Sequence, residues 1–372
     1  MSVSLNSKDE IIMRLVHYFV TVENYQPIIV NGVRNEIWLE NLNAPYRIIR
    51  INSNYIHNND QFEFDNFKIR NVVKQIKRKT FTLKMKTLNI LLDVGQDVKI
   101  EPVKSVDSYG ISSIKDVRKD DGLAGLYPKL KTFTLHKGDN LDLIVNITND
   151  INNKTEEENK SYEKVFKPKK IIFTWAIIAL CVGLFFMFPP RSSIWYDLAL
   201  DPNAIHAGEY WRLLTAAFLH ADVFHLMVNM YALSILGRQV ETFLGKGKFL
   251  LIYLGSALTG SLMSISITNS LSVGASGAIF GMLGCLAYFG YHYRLYLGDA
   301  LRGQIIPVIL INLAIGFMIP LIDNAAHIGG LIGGAFIAMA LGLGRKDERA
   351  SRINGAVVTL IYFAFLIYLL LS

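Results

Sequence analysis

The chain of 372 residues is 51% hydrophobic and only 19% charged, with a mean hydropathy of +0.30, whereas soluble globular proteins carry about 25% charge. Residues 1–170 hold 27 of the 38 lysines and arginines and 22 of the 31 acids, which excludes both a wholly soluble protein and one embedded in membrane throughout. Two cysteines, Cys181 and Cys285, lie in apolar runs and cannot build a disulfide framework or a cysteine zinc site.

The first residues, MSVSLNSKDEIIMRLVHYF, put charges where a cleaved signal peptide needs an apolar core. Ile11, Ile12, Leu15, Val16, Phe19 and Val20 recur at helical spacing, so residues 8–22 read as an amphipathic helix. Short β-rich runs follow at 27–30 (PIIV), 36–40 (EIWLE) and 46–51 (YRIIRI), then a helix over 64–79 and strands near 88–94 and 141–147. Residues 1–147 thus form a soluble α+β domain. Its basic stretch, Lys74, Lys77, Arg78, Lys79, Lys84 and Lys86, could touch anionic lipid or nucleic acid but reads first as a solvated helix face and strand edge, and the net charge of +5 over residues 1–170 demands no nucleic-acid partner. Residues 148–164 are polar and lack an apolar period, and with the lysines that follow, 148–170 reads as a flexible polar and basic linker.

Apolar runs able to cross a hydrocarbon core of ~30 Å follow at 171–188, 222–243, 249–268, 275–293, 304–322, 325–343 and 355–371. The last span and its basic loop occupy 344–372. Basic residues mark alternate connections: Lys167, Lys169 and Lys170, then Lys246 and Lys248, then Arg294 and Arg302, then Arg345, Lys346, Arg349 and Arg352. The excess of cytosolic lysine and arginine puts the N-terminus in the cytosol and the C-terminus outside. The 190–221 connection is rich in aromatics and reads as partly sunk in the outer leaflet.

Three polar constellations interrupt these spans, where polar groups are expensive and usually functional. They are His220 with His225 and Asn229, Gly274-Ala-Ser276-Gly277, and Ala326-His327-Ile-Gly-Gly330. His225 and Asn229 stand at i and i+4, on one helix face. Each motif alone has a structural explanation, because serine in a membrane helix often bonds its own backbone, and Gly277/Gly281 and Gly330/Gly334 are helix-packing motifs. Together they suggest chemistry. Serine is a weak nucleophile until a base takes its proton, and neutral histidine suits that task. Amide attack builds an oxyanion that needs donors in place, which Asn229, His225 and the Ser276 amide can supply. Asp323 is expected to face water, leaving a Ser276–His327 dyad.

Residues 171–343 resemble the six-helix core of the rhomboid intramembrane serine proteases, through Glu209-Tyr-Trp211-Arg212, His225-xxx-Asn229, Gly274-x-Ser276-Gly277 and Ala326-His327-xx-Gly330-xxx-Gly334. The resemblance implies a polytopic all-α membrane bundle, a six-helix core plus one C-terminal helix, preceded by a soluble α+β domain. It implies Ser276 as nucleophile, His327 as base, and His225, Asn229 and the Ser276 amide around the oxyanion. Phe280 matches the aromatic that packs on the catalytic imidazole, and Trp211-Arg212 a structural pair of the first loop. It further implies no metal or organic cofactor, transmembrane protein substrates and a bacterial plasma membrane location. The N-terminal domain is left to meet a cytosolic partner. The alternatives are a non-proteolytic membrane adaptor and a transporter relaying protons through His225 and His327.

Overall fold

A computed structural model describes residues 7–119, 122–132, 140–319, 322–343 and 349–371. The chain divides into two compact units, Met1–Lys160 and Ser161–Ser372.

The first unit opens with α1 (Ser7–Thr21), followed by β1 (Gln26–Ile28), β2 (Glu36–Glu40), β3 (Ile48–Asn52), α2 (Asn59–Thr80), β4 (Thr87–Leu91) and β5 (Val106–Gly110). The five strands lie in sequence order; β1, β2 and β3 pair antiparallel, and β3, β4 and β5 pair parallel. A parallel neighbour requires a crossover, and α2 supplies it between β3 and β4. The central strands β3 and β4 are buried along their whole length. One sheet face (Leu39, Ile49, Ile51, Leu88, Ile90) takes the apolar stripe of α1, Ile11, Leu15 and Phe19. The other (Trp38, Ile48, Val106) takes Ile69 and Val73 of α2. Asn58 caps α2 by accepting from the Gln61 amide, and Phe81 ends it in a left-handed conformation.

Beneath α2 the sheet carries an arginine where an apolar residue would be ordinary. Arg50 is 1% exposed and donates to Glu36 (2.7 and 2.8 Å), to Asp65 (2.6 and 2.7 Å) and to Asn89 (3.0 Å). Burial pushes the Glu36 carboxyl up, and the bonds from Arg50 push it down further, so it lies below its ordinary value. A depressed carboxylate contributes stability that is complete at neutral pH and lost as pH falls through its folded value. Arg50→Ala strands two buried carboxylates and is expected to destabilise this unit by about 3–5 kcal/mol. Hydrogen exchange on the full chain should show β3 and β4 amides losing protection; unchanged protection would mean the network is dispensable.

Several elements depart from the sequence reading. β5 (VDSYG) is too polar to register as a strand, and α3 (Ile114–Val117) and α4 (Leu123–Leu126) are single turns. The strand expected at 141–147 and the flexible linker from 148 are instead one helix, α5 (Asn140–Phe166). Ile147 is buried and Ile151, a helical i, i+4 step on, packs on the core under α1, while Asp150 bonds His17 at 2.9 Å. Beyond them, the polar stretch supports itself through pairs such as Lys160 with Glu156 at 2.6 Å.

The second unit is helical. α6 (Phe173–Met187) is followed by three short helices, α7 (Ser193–Leu198), α8 (Pro202–His206) and α9 (Arg212–Thr215). Then come α10 (Val223–Leu244), α11 (Lys246–Ile267) and α12 (Ser276–His292). α13 (Arg294–Ala300) passes through a wider π turn at Leu301–Ile305 into α14 (Ile306–Met318), and α15 (Asn324–Leu341) and α16 (Arg349–Leu371) complete the unit. By length and composition four helices can cross a membrane: Lys246–Ile267, Tyr296–Met318, Asn324–Leu341 and Arg349–Leu371. A fifth is the pair Arg212–Phe218 and Val223–Leu244, bent by 92°. Of the seven expected spans, α6 and α12 form helices of only 15 and 17 residues, below the ~20 that a full crossing takes. Arg345 and Lys346 of the last basic loop lie outside the described residues.

The α12–α15 seam is glycine against glycine. A β-carbon on Gly330 would sit 1.9 Å from the Gly277 carbonyl oxygen, and one on Gly334 would sit 2.0 Å from that of Gly281. Any side chain there would force the two backbones apart. The last helix, α16, also packs on α15: Tyr362 donates its hydroxyl to the Gly329 carbonyl at 3.2 Å.

Candidate active site

Ser276 is the first residue of α12. The leading amides of a helix have no intrahelical acceptor and carry the positive end of its dipole, so the Ser276 N–H is free to face a developing anion. The segment before it is pinned: Ser272 and Leu200 exchange backbone hydrogen bonds at 3.0 Å, and the Gly274 amide donates to Ala216 at 2.9 Å. Gly274 has φ +134, and a β-carbon there would lie 2.8 Å from Cε1 and Nε2 of His225 and 3.8 Å from Ser276 Oγ. Only glycine combines that backbone with that ring approach. The Gly274 contact thereby brings the His225 imidazole alongside the serine.

His225 is the third residue of α10, whose N-terminus is capped by Asp222 accepting from the His225 amide at 2.8 Å. Asn229, one turn on and 5% exposed, donates one amide hydrogen to the His225 carbonyl at 2.9 Å. His220 is 1% exposed, with its ring centroid 5.2 Å from that of His225. Neither His220 nitrogen has a hydrogen-bond partner among the described residues.

His327 arrives from α15. Its ring stacks on Phe280, one turn after Ser276 on α12, with centroids 4.1 Å apart and planes 11° from parallel. It is 7% exposed, and Nδ1 has no hydrogen-bond partner among the described residues. The stacking and the Gly277–Gly330 seam put the imidazole on the Ser276 end of α12. The structure does not draw a Ser276–His327 hydrogen bond, a contact that often tightens only when substrate binds.

Asp323 corrects an expectation. Rather than facing water, it caps α15, accepting from the Ala326 amide at 2.9 Å, and takes hydroxyls from Ser264 (2.5 Å) and Ser272 (2.7 Å). It fastens α15 to α11 and to the loop before Ser276. In the first loop, Arg212 pairs with Glu209 (2.6 Å) and donates to the carbonyls of Ala199 (2.9 Å) and Tyr196, while Trp211 donates to the Asp197 carbonyl at 3.3 Å. The pair ties α9 to α7, and Trp211 itself stays half exposed. Sequence reasoning passed over Glu241 at the far end of α10. An acid inside an apolar helix is the signal that could have found it.

The fold and this constellation can be set beside known proteins. The family model described as "Rhomboid domain" matches residues 207–344. "Rhomboid protease GluP" of Bacillus subtilis (strain 168) is 33% identical over 358 residues, covering 89% of this chain and 69% of that protein. The chain belongs to the rhomboid family. "Putative rhomboid protease YdcA" from the same organism is 34% identical over 184 residues, 48% of this rhomboid and 91% of that protein. "RHOMBOID-like protein 6, mitochondrial" of Arabidopsis thaliana is 39% identical over 161 residues, and there this rhomboid spans about half of the plant protein's length (52%). The GluP match extends well beyond residues 207–344, so this rhomboid's likeness to that relative includes part of the first unit. With its apolar helices, this rhomboid is a multi-pass membrane protein.

Proposed function

We propose that this rhomboid is an intramembrane serine endopeptidase of a bacterial plasma membrane, cutting transmembrane segments near their outer ends. The observation that carries the reading is the His327 ring stacked on Phe280, one turn from Ser276. Ser276 Oγ attacks the scissile carbonyl while His327 takes its proton. The oxyanion accepts hydrogen bonds from the Ser276 amide, His225 and the second amide hydrogen of Asn229. His327 then returns the proton to the departing amine, and water, activated by the same base, releases the acyl group. Two relatives are named as rhomboid protease or putative rhomboid protease, which supports this chemistry over an adaptor role.

Purified full chain, incubated with a reporter carrying one transmembrane segment, should yield two fragments whose new termini, read by mass spectrometry, fall toward the outer end of that segment. A reporter left intact under conditions where the enzyme stays folded refutes the reading.

The alternating basic loops support a cytosolic N-terminus with the first unit inside the cell and an external C-terminus. Protease added to intact cells should remove a C-terminal tag and spare an N-terminal one. Protection of the C-terminal tag until lysis would overturn the seven-span arrangement.

A further inference from the structure

Helix α2 has an outward face that the site chemistry does not use. Between Phe67 and Leu92 the chain carries eight lysines and arginines and not one acid. Helical geometry sorts these residues: opposite the buried Phe62, Ile69 and Val73 runs a stripe of Phe64, Phe67, Arg70, Lys74 and Arg78, all exposed. The two phenylalanines are 58% and 52% exposed, and the Lys68 ammonium sits 4.8 Å above the Phe64 ring. Past the helix, Phe81 takes a left-handed conformation that turns the chain, and Leu83 stands at the tip of that turn, 94% exposed. Exposed Lys84 and Lys86 follow it.

A solvated charged face has no use for two phenylalanines and a fully exposed leucine. Large apolar side chains spaced among cations, with the acids of this face confined to Asp60 and Glu63 at the start of the helix, make up the chemistry that meets a lipid headgroup layer. The cations sit among phosphates, and the apolar side chains enter the boundary below them.

We propose that the exposed face of α2 and the Leu83 turn form a docking surface for anionic phospholipid. The occupant is a bilayer surface rather than a nucleic acid, because a fully exposed leucine at the tip of the turn gains from an acyl layer and nothing from bases or phosphates, and the same chain carries membrane-spanning helices. Each cation adds to the attraction, so binding weakens in steps as cations are removed or salt is raised. The proposal rests on the chain being a membrane protein and on nothing in its catalysis, so its failure leaves the protease reading standing.

The test uses the full chain in nanodiscs of neutral phosphatidylcholine, or of phosphatidylcholine mixed with phosphatidylglycerol. An environment-sensitive fluorophore is attached through Leu83→Cys; Cys181 and Cys285 are buried and stay unlabelled. Emission should be brighter and blue-shifted in the anionic discs. High salt should abolish the shift, and so should Lys74→Glu combined with Lys84→Glu. Identical spectra in both discs overturn the proposal. So does a response to added RNA or inorganic phosphate in neutral discs with none to phosphatidylglycerol. Hydrogen exchange on the unlabelled chain guards against disturbance by the dye: amides 81–86 should exchange more slowly in anionic discs, and equal rates overturn the proposal.

Discussion

Ser276→Ala is expected to leave no detectable cleavage, because on the proposed mechanism it removes the attacking oxygen, and His327→Ala should do the same by removing the proposed base. The oxyanion donors should give a graded result. Loss of one such donor costs on the order of 10²–10³ in rate, and Asn229→Ala should fall at or below that range. Its amide already spends one hydrogen on the His225 carbonyl, and the Ser276 amide remains. His225→Ala should match it, provided the fold survives. Asp323→Asn should keep most activity but lower stability, since its carboxylate works as a cap and an acceptor for Ser264 and Ser272. A fluorophosphonate should label wild type, label Asn229→Ala more slowly and spare Ser276→Ala. Labelling of Ser276→Ala at the wild-type rate would place the nucleophile elsewhere. Complete inactivity of a folded Asp323→Asn would turn the dyad into a triad.

The second large effect is expected far from the serine. Glu241 is fully buried and gathers the start of α6: one oxygen accepts from the Ile172 and Phe173 amides (2.8 and 2.9 Å), the other from the Thr174 amide and hydroxyl (2.9 and 2.7 Å). Glu241→Ala leaves the buried Thr174 amide and hydroxyl, and the less buried Ile172 and Phe173 amides, without their acceptor; each of the two buried donors costs about 1–3 kcal/mol. A loss of roughly 3–5 kcal/mol follows, and for a unit of this size each kcal/mol lowers the unfolding midpoint by about 2–4 °C. The buried thiols report it directly. Cys181 lies in α6 itself and Cys285 in α12, so a thiol-reactive dye should react at a clearly lower temperature in the variant. Below that temperature cleavage should persist, since Glu241 sits some four turns of α10 from His225, about 24 Å along the axis. An unchanged midpoint would show that α6 is held by its apolar contacts alone.

How much of this was legible beforehand depended on how local the cause was. His225 and Asn229, and the paired glycines of α12 and α15, announce themselves through i, i+4 spacing, and the structure places each of those pairs on one helix face. α1 and β2 were recovered closely because their apolar periods are strong. The role of Asp323 was invisible, because its partners Ser264 and Ser272 stand 59 and 51 residues away. α5 was misjudged for a different reason. Leu141, Leu143, Val145 and Ile147 look like a strand when read at period two, and only the burial of Ile147 with packing of Ile151 selects the helical period. β5 stayed hidden because its pairing to β4, rather than its composition, makes it a strand.

The shortness of α12 has a consequence for what the enzyme can reach. Seventeen residues at ~1.5 Å each measure about 25 Å, some 5 Å less than a typical hydrocarbon layer. If one end of α12 meets the headgroups, the other, which begins with Ser276, stops short of them. On the proposed chemistry the length of a single helix then acts as a depth gauge, selecting scissile bonds by their distance below the surface. Thickening the bilayer with longer acyl chains should move the cut along a substrate without altering a residue of the enzyme.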